Sequence, residues 1–282
     1  MNGLGRVAIV GTGQVGTMIG MALRMAPEGS VTEVAAWDRD AEALRTCLAR
    51  GGADRPLAGP EGALGSDVIV LATPVVQILG ILRKLGPRMG PGQLVIDTGS
   101  AKAAVVEVMQ GAVSPAAGAI GGHPLCGGSE SGPAAADPGL LRGATFVLCP
   151  VREDPRALAT ARQLVELMGA TAVVLSAGDH DQRLARTSHL PHLVAAALAD
   201  LALGIPGSGL SSSGLRGAVR LARSDPAMVA SFICANLAEV RAAGLELGAT
   251  LERLLAAAAA GEQELKEELE GARRLALELG AS

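Results

Sequence analysis

The chain has 282 residues, of which 49% are hydrophobic and 18% are charged. This composition supplies enough apolar side chain for a packed core and excludes disorder as the dominant state, and the length favours two domains of modest size. The net charge is −4, with one tryptophan, two phenylalanines and no tyrosine. That balance excludes the basic or aromatic surfaces with which most nucleic-acid-binding proteins hold their ligands.

Apolar runs and cysteines narrow the class further. The first apolar run covers only residues 7–10, and the later run 193–203 is short and contains Asp200, so neither a signal sequence nor a membrane span is predicted. The four cysteines lie far apart without a CxxC pair, which predicts neither a zinc site nor a disulfide framework. We therefore expect a cytoplasmic protein with no bound metal and no nucleic-acid or membrane partner.

The first 175 residues alternate short apolar runs with helical stretches. Strands are predicted over 7–10, 33–37, 67–72, 94–97, 145–149 and 171–175, and helices over 14–25, 41–50, 75–85, 102–110 and 155–168. Several of the strands are continuous apolar runs, which is typical of strands buried on both faces of a parallel sheet. The pattern predicts an α/β domain with a doubly wound sheet over residues 1–175.

After residue 176 the strand signals end, and residues 176–282 are predicted to form an all-helical domain. Between 237 and 279, apolar residues recur at spacings of three and four with a break near Gly261, which predicts two amphipathic helices. Such stripes serve either for packing within one chain or for pairing of two chains. Because the stripes are long and heptad-like, we expect a homodimer formed through this domain.

The sequence GTGQVG at residues 11–16 follows the first strand and opens the first helix. In this context glycines permit a tight turn and close approach of a pyrophosphate, while the helix N-terminus supplies amide donors. Asp38, at the end of the next strand, completes a Rossmann-type dinucleotide site, because a carboxylate accepts hydrogen bonds from the adenosine ribose. It also repels a 2′-phosphate and so favours NAD over NADP, although the adjacent Arg39 offsets part of that repulsion.

The strand predicted over 67–72 is followed by Thr73 and Pro74, at the sheet edge where open α/β sheets bind ligands. We expect this pair to line the nicotinamide side of the cleft. The residues predicted from these patterns to bind the cofactor are Gly11, Gly13, Gln14, Val15, Gly16, Asp38, Arg39, Thr73 and Pro74.

Histidines mark a second candidate site. His123 lies in the glycine-rich sequence GGHPLCGG, where little side-chain bulk surrounds the imidazole, so we expect it in a loop that faces a ligand. His189 and His192 share one face of a predicted helix, and no third ligand follows at suitable spacing, so a metal is not expected. Pro191 between them should kink the helix and expose polar backbone, which favours a site, with a buried structural role as the alternative for one histidine.

Five motifs occur in order along the chain: GTGQVG at 11–16, DTGSAK at 97–102, GHP at 122–124, SHLPH at 188–192 and RLARSDP at 220–226. In combination they resemble the prephenate/arogenate dehydrogenase family of tyrosine biosynthesis, over nearly the whole chain. The resemblance implies NAD(P)-dependent oxidative decarboxylation of a cyclohexadienol and a dimer built through the helical domain.

The resemblance also implies roles for individual residues. Ser100 matches the serine that touches both the nicotinamide and the substrate hydroxyl, and His123 matches the catalytic histidine. His192 matches a histidine near the substrate side chain, and Arg220 matches the arginine that binds a substrate carboxylate. A neutral imidazole suits the removal of the hydroxyl proton as hydride leaves the ring carbon. Loss of carbon dioxide then makes the ring aromatic and the step irreversible.

A doubly negative substrate on a net-acidic protein calls for a second cation. Arg216 and Lys102 are candidates, with solvated surface charges as the alternative reading. Prephenate is favoured over arogenate, because Gly217 and Ser129 stand where acidic residues would pair with the ammonium group of arogenate. Other acidic partners remain at Asp225 and Glu130.

Other activities predict different residues. An arogenate dehydrogenase differs only in the partner for the substrate side chain. A β-hydroxyacid dehydrogenase would use a lysine where this chain has histidines. A hydrolase built on Cys126 beside His123 lacks a third group to orient the pair. A non-catalytic NAD-binding sensor would need none of Ser100, His123, His192 and Arg220.

Overall fold

The computed structural model describes residues 3–126, 131–203 and 212–280. The strands are β1 (Arg6–Val10), β2 (Glu33–Trp37), β3 (Arg55–Pro56), β4 (Val68–Leu71), β5 (Leu94–Asp97), β6 (Gly118–Pro124), β7 (Thr145–Pro150) and β8 (Thr171–Val174). The helices are α1 (Gln14–Arg24), α2 (Ala41–Ala49), α3 (Val75–Leu85), α4 (Ala103–Ala112), α5 (Pro155–Leu167), α6 (Ala177–Leu184), α7 (Leu190–Leu203), α8 (Ser213–Ala218), α9 (Pro226–Ala235), α10 (Leu237–Ala260) and α11 (Glu262–Gly280). The bounds match the predicted elements closely, while β3 and β6 add strands that the sequence pattern missed.

The strands form one sheet in the order β3-β2-β1-β4-β5-β6-β7-β8, parallel throughout except for the antiparallel pair β6 and β7. The chain runs outward from β1 in one direction through β2 and in the other through β4, so the direction of winding reverses at β1. Val10 lies opposite both Trp37 and Leu71, and Leu71 lies opposite Asp97. The loops that follow these four strands therefore share one edge of the sheet, where such folds bind ligands.

Both faces of the sheet are covered by helices. Val7 and Ile9 of β1 belong to an apolar cluster with residues of α1 and α5. Ala8 and Val10 belong to a second cluster with residues of α3 and α4. Successive side chains of a strand point to opposite faces, so a strand buried on both faces needs an apolar residue at every position. The prediction of a doubly wound Rossmann-type sheet followed by a helical part is thus confirmed.

Strand β6 corrects one expectation. Its sequence, GAIGGHP, has little intrinsic preference for a strand, and His123 was expected in a loop. The prediction is wrong, because β6 pairs with β5 on one side and β7 on the other, and every one of its residues is buried. The glycines permit close packing, since a Cβ at Gly122 would collide with the backbone carbonyl of Asp97. His123 is therefore held rigidly in the sheet.

Two compact units are found, Met1–Leu237 and Ala238–Ser282. Helices after β8 are tied to the sheet, so the first unit extends beyond residue 175, and the domain boundary at that residue stays a prediction. The Asp181 carboxylate of α6 accepts hydrogen bonds from the amides of Lys102 and Ala103 at the start of α4, and α9 packs against α3.

The second unit consists of most of α10 together with α11. The predicted break near Gly261 is confirmed, since α10 ends at Ala260 and α11 begins at Glu262. Many of its leucines are exposed in the single chain: Leu245, Leu247, Leu251, Leu255, Leu269, Leu275 and Leu277. No single helix in the described ranges is both long and apolar enough to cross a membrane, and only α9 and α10 taken together pass on length and composition.

Candidate active site

The glycine loop after β1 has the shape of a phosphate-binding turn. Gly11 has a φ of +104°, a conformation that favours glycine, and a Cβ at Gly16 would collide with the Gly11 carbonyl, so α1 packs closely against the turn. Gly13 faces open space, with no atom near the position of an added Cβ. The loop therefore combines a tight turn, close helix packing and an open backbone at the N-terminus of α1, as a pyrophosphate requires.

Asp38 is fixed at the end of β2. One of its carboxylate oxygens accepts hydrogen bonds from the Thr12 amide at 2.6 Å and the Thr12 hydroxyl at 3.1 Å, and the other accepts the Asp40 amide at 2.9 Å. The half-buried carboxylate and the exposed Arg39 line a cleft of about 280 Å³ that also includes Lys84. This arrangement fits the adenosine end of a dinucleotide.

A second cavity of about 360 Å³ lies further along the same edge. Of the residues predicted from the sequence, it brings together Gly13, Gln14, Val15, Thr73, Pro74 and Ser100. Helix α9 and the turn before it contribute Ser224, Asp225, Met228, Ser231 and Phe232. Among the residues that the structure describes, the buried hydroxyl oxygens of Thr73 and Ser231 have no hydrogen-bond partner. Buried polar atoms are nearly always paired, so these two point to a polar ligand in the cavity.

His123 begins a chain of hydrogen bonds that sequence reasoning missed. Its Nδ1 lies 2.8 Å from Nε2 of His180, and Nδ1 of His180 lies 2.7 Å from the Asp181 carboxylate. A carboxylate only accepts, so a neutral His180 donates from Nδ1 to Asp181 and accepts from Nδ1 of His123. This leaves the lone pair of His123 on Nε2, for which no hydrogen-bond partner is found in the described part of the chain. The arrangement leaves that nitrogen able to accept a proton.

The surroundings keep His123 neutral. Burial lowers the pKa of His123 well below its usual 6.5, and the positive charge of Lys102 acts in the same direction. Burial by itself raises the pKa of Asp181, but hydrogen bonds from His180 and from the backbone amides of Ala103 and Lys102 outweigh it, so that the pKa is lowered overall. A neutral imidazole is therefore backed by an ionised carboxylate through a second imidazole.

A fully buried ion pair between Lys102 and Asp97 lies close to His123 and connects the end of β5 with β6. Nζ of Lys102 donates to the Asp97 carboxylate, and to the Gly122 carbonyl at 2.7 Å. Asp97 also accepts the amides of Gly99 at 2.7 Å and Gly122 at 3.0 Å. The ammonium group of Lys102 is fully buried and paired with Asp97, and Lys102 does not line the cavity. It therefore does not serve as the second cation for the substrate that the sequence suggested. Its role is to tie the Ser100 loop to the end of β6.

His189 and His192 have different surroundings. A π turn over Ala185–His189 precedes Pro191, and it accommodates the proline within a continuous helical path. His189 is fully buried, its Nε2 lies 3.2 Å from the Ser100 carbonyl, and burial lowers its pKa to about 4. His192 is half-buried, hydrogen-bonds the Ser188 carbonyl through Nδ1 at 2.9 Å, and packs edge-on against Phe232 of the cavity. The buried structural role that was left open for one of the pair falls to His189.

The remaining predicted residues are spread out. Arg216 of α8 and Arg220 of the following 3₁₀ turn are exposed and are not among the described residues that line the cavity. Burial raises the pKa of the Cys126 thiol, which disfavours a thiolate nucleophile. Ser129 and Glu130 lie outside the described residues. Within the described ranges, no three His, Cys, Asp or Glu side chains come together as a metal site.

Family models now decide the relationship. Residues 19–174 match the model described as prephenate dehydrogenase, nucleotide-binding domain, and residues 176–270 match prephenate dehydrogenase, dimerization domain. The chain belongs to the prephenate dehydrogenase family. Two solved family structures resemble it closely: prephenate dehydrogenase from Aquifex aeolicus (27% identity, TM-score 0.87, covering 96% of this chain and 99% of that one) and Synechocystis arogenate dehydrogenase (27% identity, TM-score 0.83, covering 97% and 99%).

A curated relative, prephenate dehydrogenase from Lactococcus lactis subsp. cremoris, is 31% identical over 239 residues, which cover 82% of this chain and 65% of the relative. The chain thus spans slightly less than two thirds of the length of that prephenate dehydrogenase. A family structure from Aquifex aeolicus is described in complex with hydroxyphenyl propionate and NAD+ (26% identity, TM-score 0.86).

Three residues of the site were missed by sequence reasoning in this family member: His180, Asp181 and Asn236. His180 and Asp181 stand in the polar sequence GDHDQ, which is typical of an exposed helix start. Asn236 is one of only two asparagines, at the end of an apolar helix, where a polar residue usually marks no more than a terminus. A polar pair in the helix that directly follows the last strand is the one local signal that could have drawn attention to His180 and Asp181.

Proposed function

We propose that the protein is an NAD-dependent dehydrogenase that converts prephenate to 4-hydroxyphenylpyruvate with loss of carbon dioxide. The observation that carries the proposal is the chain from Asp181 through His180 to His123, which leaves a neutral imidazole nitrogen as a base. Family membership and the cavity around Ser100 and the glycine loop support it.

The glycine loop, Asp38, Thr73 and Pro74 would hold NAD, which supplies the hydride acceptor when bound. Open space at Gly13 and the unpartnered Thr73 hydroxyl fit this ligand. Asp38 would accept hydrogen bonds from the ribose hydroxyls of a bound NAD, and its charge would disfavour a 2′-phosphate. The exposed Arg39 next to it moderates that preference.

His123 takes the proton of the substrate hydroxyl at Nε2 while Ser100 holds the hydroxyl oxygen. As the imidazole becomes positive, its Nδ1–H bond to His180 strengthens, and the Asp181 carboxylate stabilises the developing charge through that second ring. His123 must stay neutral until this step, and its buried position ensures that it does. The loss of carbon dioxide follows and makes the ring aromatic.

The substrate carboxylates need cations. Arg220 is proposed to bind one of them in a bidentate pair, with Arg216 as second cation and His192 beside the side chain of the substrate. An arogenate dehydrogenase is the second candidate. Asp225 favours it, because this carboxylate lines the cavity and would suit the ammonium group of arogenate. The absence of an acidic residue at Gly217 favours prephenate.

A homodimer is part of the proposal. Several leucines of α10 and α11 are exposed on a single chain, and the family model for residues 176–270 is described as a dimerization domain. Light scattering of the purified protein at micromolar concentration should return twice the chain mass.

The experiment that tests the function is a spectrophotometric assay. Purified protein is mixed with NAD and prephenate, and NADH absorbance is followed, with arogenate and NADP as matched alternatives. The proposal expects NADH formation with prephenate and NAD as the best pair. A kcat/KM for arogenate above that for prephenate assigns the second candidate, and no turnover with either substrate contradicts the proposal.

A further inference from the structure

Asn236 connects His189 with the His180–Asp181 pair. It follows α9 directly and is 5% exposed. Its side-chain Nδ2 donates to the Asp181 backbone carbonyl at 2.8 Å and lies 3.1 Å from Nδ1 of His189. A primary amide nitrogen carries two hydrogens, so it can serve both acceptors at once. One side chain therefore contacts both the backbone carbonyl of Asp181 and the imidazole of His189, which in turn contacts the Ser100 carbonyl.

The bond to His189 fixes the tautomer of that ring. The Nδ2 of Asn236 can only donate, so Nδ1 of His189 must present its lone pair, and the ring proton must sit on Nε2. Nε2 then donates to the Ser100 carbonyl at 3.2 Å. The ring is also stacked on Phe232, with centroids 4.7 Å apart. His189 is thus a rigid neutral spacer between Asn236 and the Ser100 peptide.

The bond to the Asp181 carbonyl holds the other half. The carboxylate of Asp181 accepts the amides of Lys102 and Ala103, just after Ser100, and it orients His180. A shift of this peptide would move the base and the Ser100 loop relative to one another.

We propose that Asn236 is a positioning residue for the dehydrogenase reaction, which fixes His189 in the Nε2–H form beneath Ser100 and holds the Asp181 peptide behind His180 and His123. The kinetic part of this inference rests on the proposed function, while the tautomer of His189 does not. A merely structural helix end would affect stability alone.

Asn236→Asp is the sharpest change, because it keeps the shape and replaces both donors by acceptors. The charged and titratable groups that face His189 are Asp181 and His180 of α6 and His192 of α7. A carboxylate at position 236 adds an acceptor directly at Nδ1, so His189 should take up a second proton and become positive near neutral pH.

The chain contains only four histidines, so ¹⁵N–¹H correlation NMR of the imidazole rings gives a simple spectrum. Signals are assigned by single histidine replacements. The wild-type protein should show His189 as the neutral Nε2–H tautomer at pH 7, and the Asn236→Asp variant should show it doubly protonated. A wild-type His189 with its proton on Nδ1, or an unchanged His189 signal in the variant, would overturn the inference, whether or not the protein turns over prephenate.

Kinetics supply the second readout. Asn236→Asp and Asn236→Ala should lower kcat by about 10- to 100-fold with an unchanged dissociation constant for NAD, since small displacements of reacting groups cost rates of that order. Cys234→Ala, an exposed change on the same helix, is the matched control and should behave as wild type. A variant that loses only melting temperature, with wild-type kcat, would reduce Asn236 to a structural residue. If wild-type protein lacks activity, the proposed function fails, and the NMR result still decides on Asn236.

Discussion

The two polar regions at the edge of the sheet are built in opposite ways. Around the nucleotide loop, polar groups are left open: Gly13 faces open space, and the buried Thr73 hydroxyl has no partner among the described residues. Around His123 the polar atoms other than its own Nε2 are hydrogen-bonded within the described chain, through His180, Asp181 and the Asn236 amide. The first region is suited to supplying hydrogen bonds to a ligand. The second is suited to holding one nitrogen in a fixed protonation form.

This difference separates binding from turnover. Open donors add affinity only when a ligand arrives, whereas a satisfied buried network is preorganised and needs no rearrangement during the reaction. We call the hydrogen-bonded network around His123 the closed region and the surroundings of the nucleotide loop the open region. Changes in the closed region should therefore lower kcat with little effect on NAD affinity. Changes in the open region should alter cofactor affinity or choice and leave the chemical step intact.

Replacing His123 should give the largest effect. His123→Asn is expected to lower kcat by about 10²–10⁴, the usual range for a lost general base. Steady-state kinetics give kcat, and NAD titration by fluorescence gives the dissociation constant, which should stay at the wild-type value. Turnover near the wild-type rate would mean that the hydroxyl proton leaves by another route.

Arg220→Gln tests the exposed cation that the cavity does not include. Losing a charge-assisted bidentate pair should lower kcat/KM for prephenate by roughly 30- to 1,000-fold, mostly through KM. Arg220→Lys should rescue only part of this, because an ammonium cannot reproduce the fork. Arg223→Gln, in the same 3₁₀ turn and also exposed, is the matched control. Equal effects of the two glutamine variants would reject the specific role of Arg220.

Asp181→Asn tests the far end of the hydrogen-bond chain. The amide still fills the space but no longer stabilises a positive charge, so kcat should fall by about 10- to 100-fold while NAD binding stays intact. Asp179→Asn changes an exposed carboxylate of the same helix and should behave as wild type. A kcat that falls equally in both variants would contradict a role of Asp181 in stabilising the charge on His123 through His180.

Asp38→Ser gives the smallest effect and belongs to the open region. Removing the charge should raise the ratio of kcat/KM for NADP over NAD by about tenfold, because repulsion of a nearby phosphate is worth on the order of 1–2 kcal/mol in a partly exposed site. The wild-type protein should prefer NAD. A ratio that does not change would show that Asp38 does not face the ribose.

Sequence patterns found the open region because its physical requirements are local. A tight turn, a close helix and an acidic strand end are each written in neighbouring residues, as Gly11, Gly16 and Asp38 show. The doubly wound sheet could also be predicted from the sequence, because strands buried on both faces must be apolar at every position.

The closed region could not be predicted from the sequence, because its physical requirements are not local. The His123–His180 bond and the Asn236–His189 bond join residues far apart in the chain, and no local pattern signals a pairing that tertiary packing creates. The glycines of β6 concealed a strand that its neighbours impose, so His123 was expected in a loop. The sequence suggested Lys102 either as a second cation for the substrate or as a solvated surface charge, because nothing in its local sequence shows that it is buried in a pair with Asp97.

The most direct test of the central claim is the pH dependence of kcat/KM at saturating NAD. This quantity reports ionisations of the enzyme before the substrate binds, and His123 accepts a proton only when neutral. Burial and neighbouring positive charge lower the pKa of His123 well below 6.5, so activity should persist as the pH falls to 6.5 and decline only below it. A decline centred at or above pH 6.5, or an acid limb that persists in His123→Asn, would contradict a buried neutral His123 as the base.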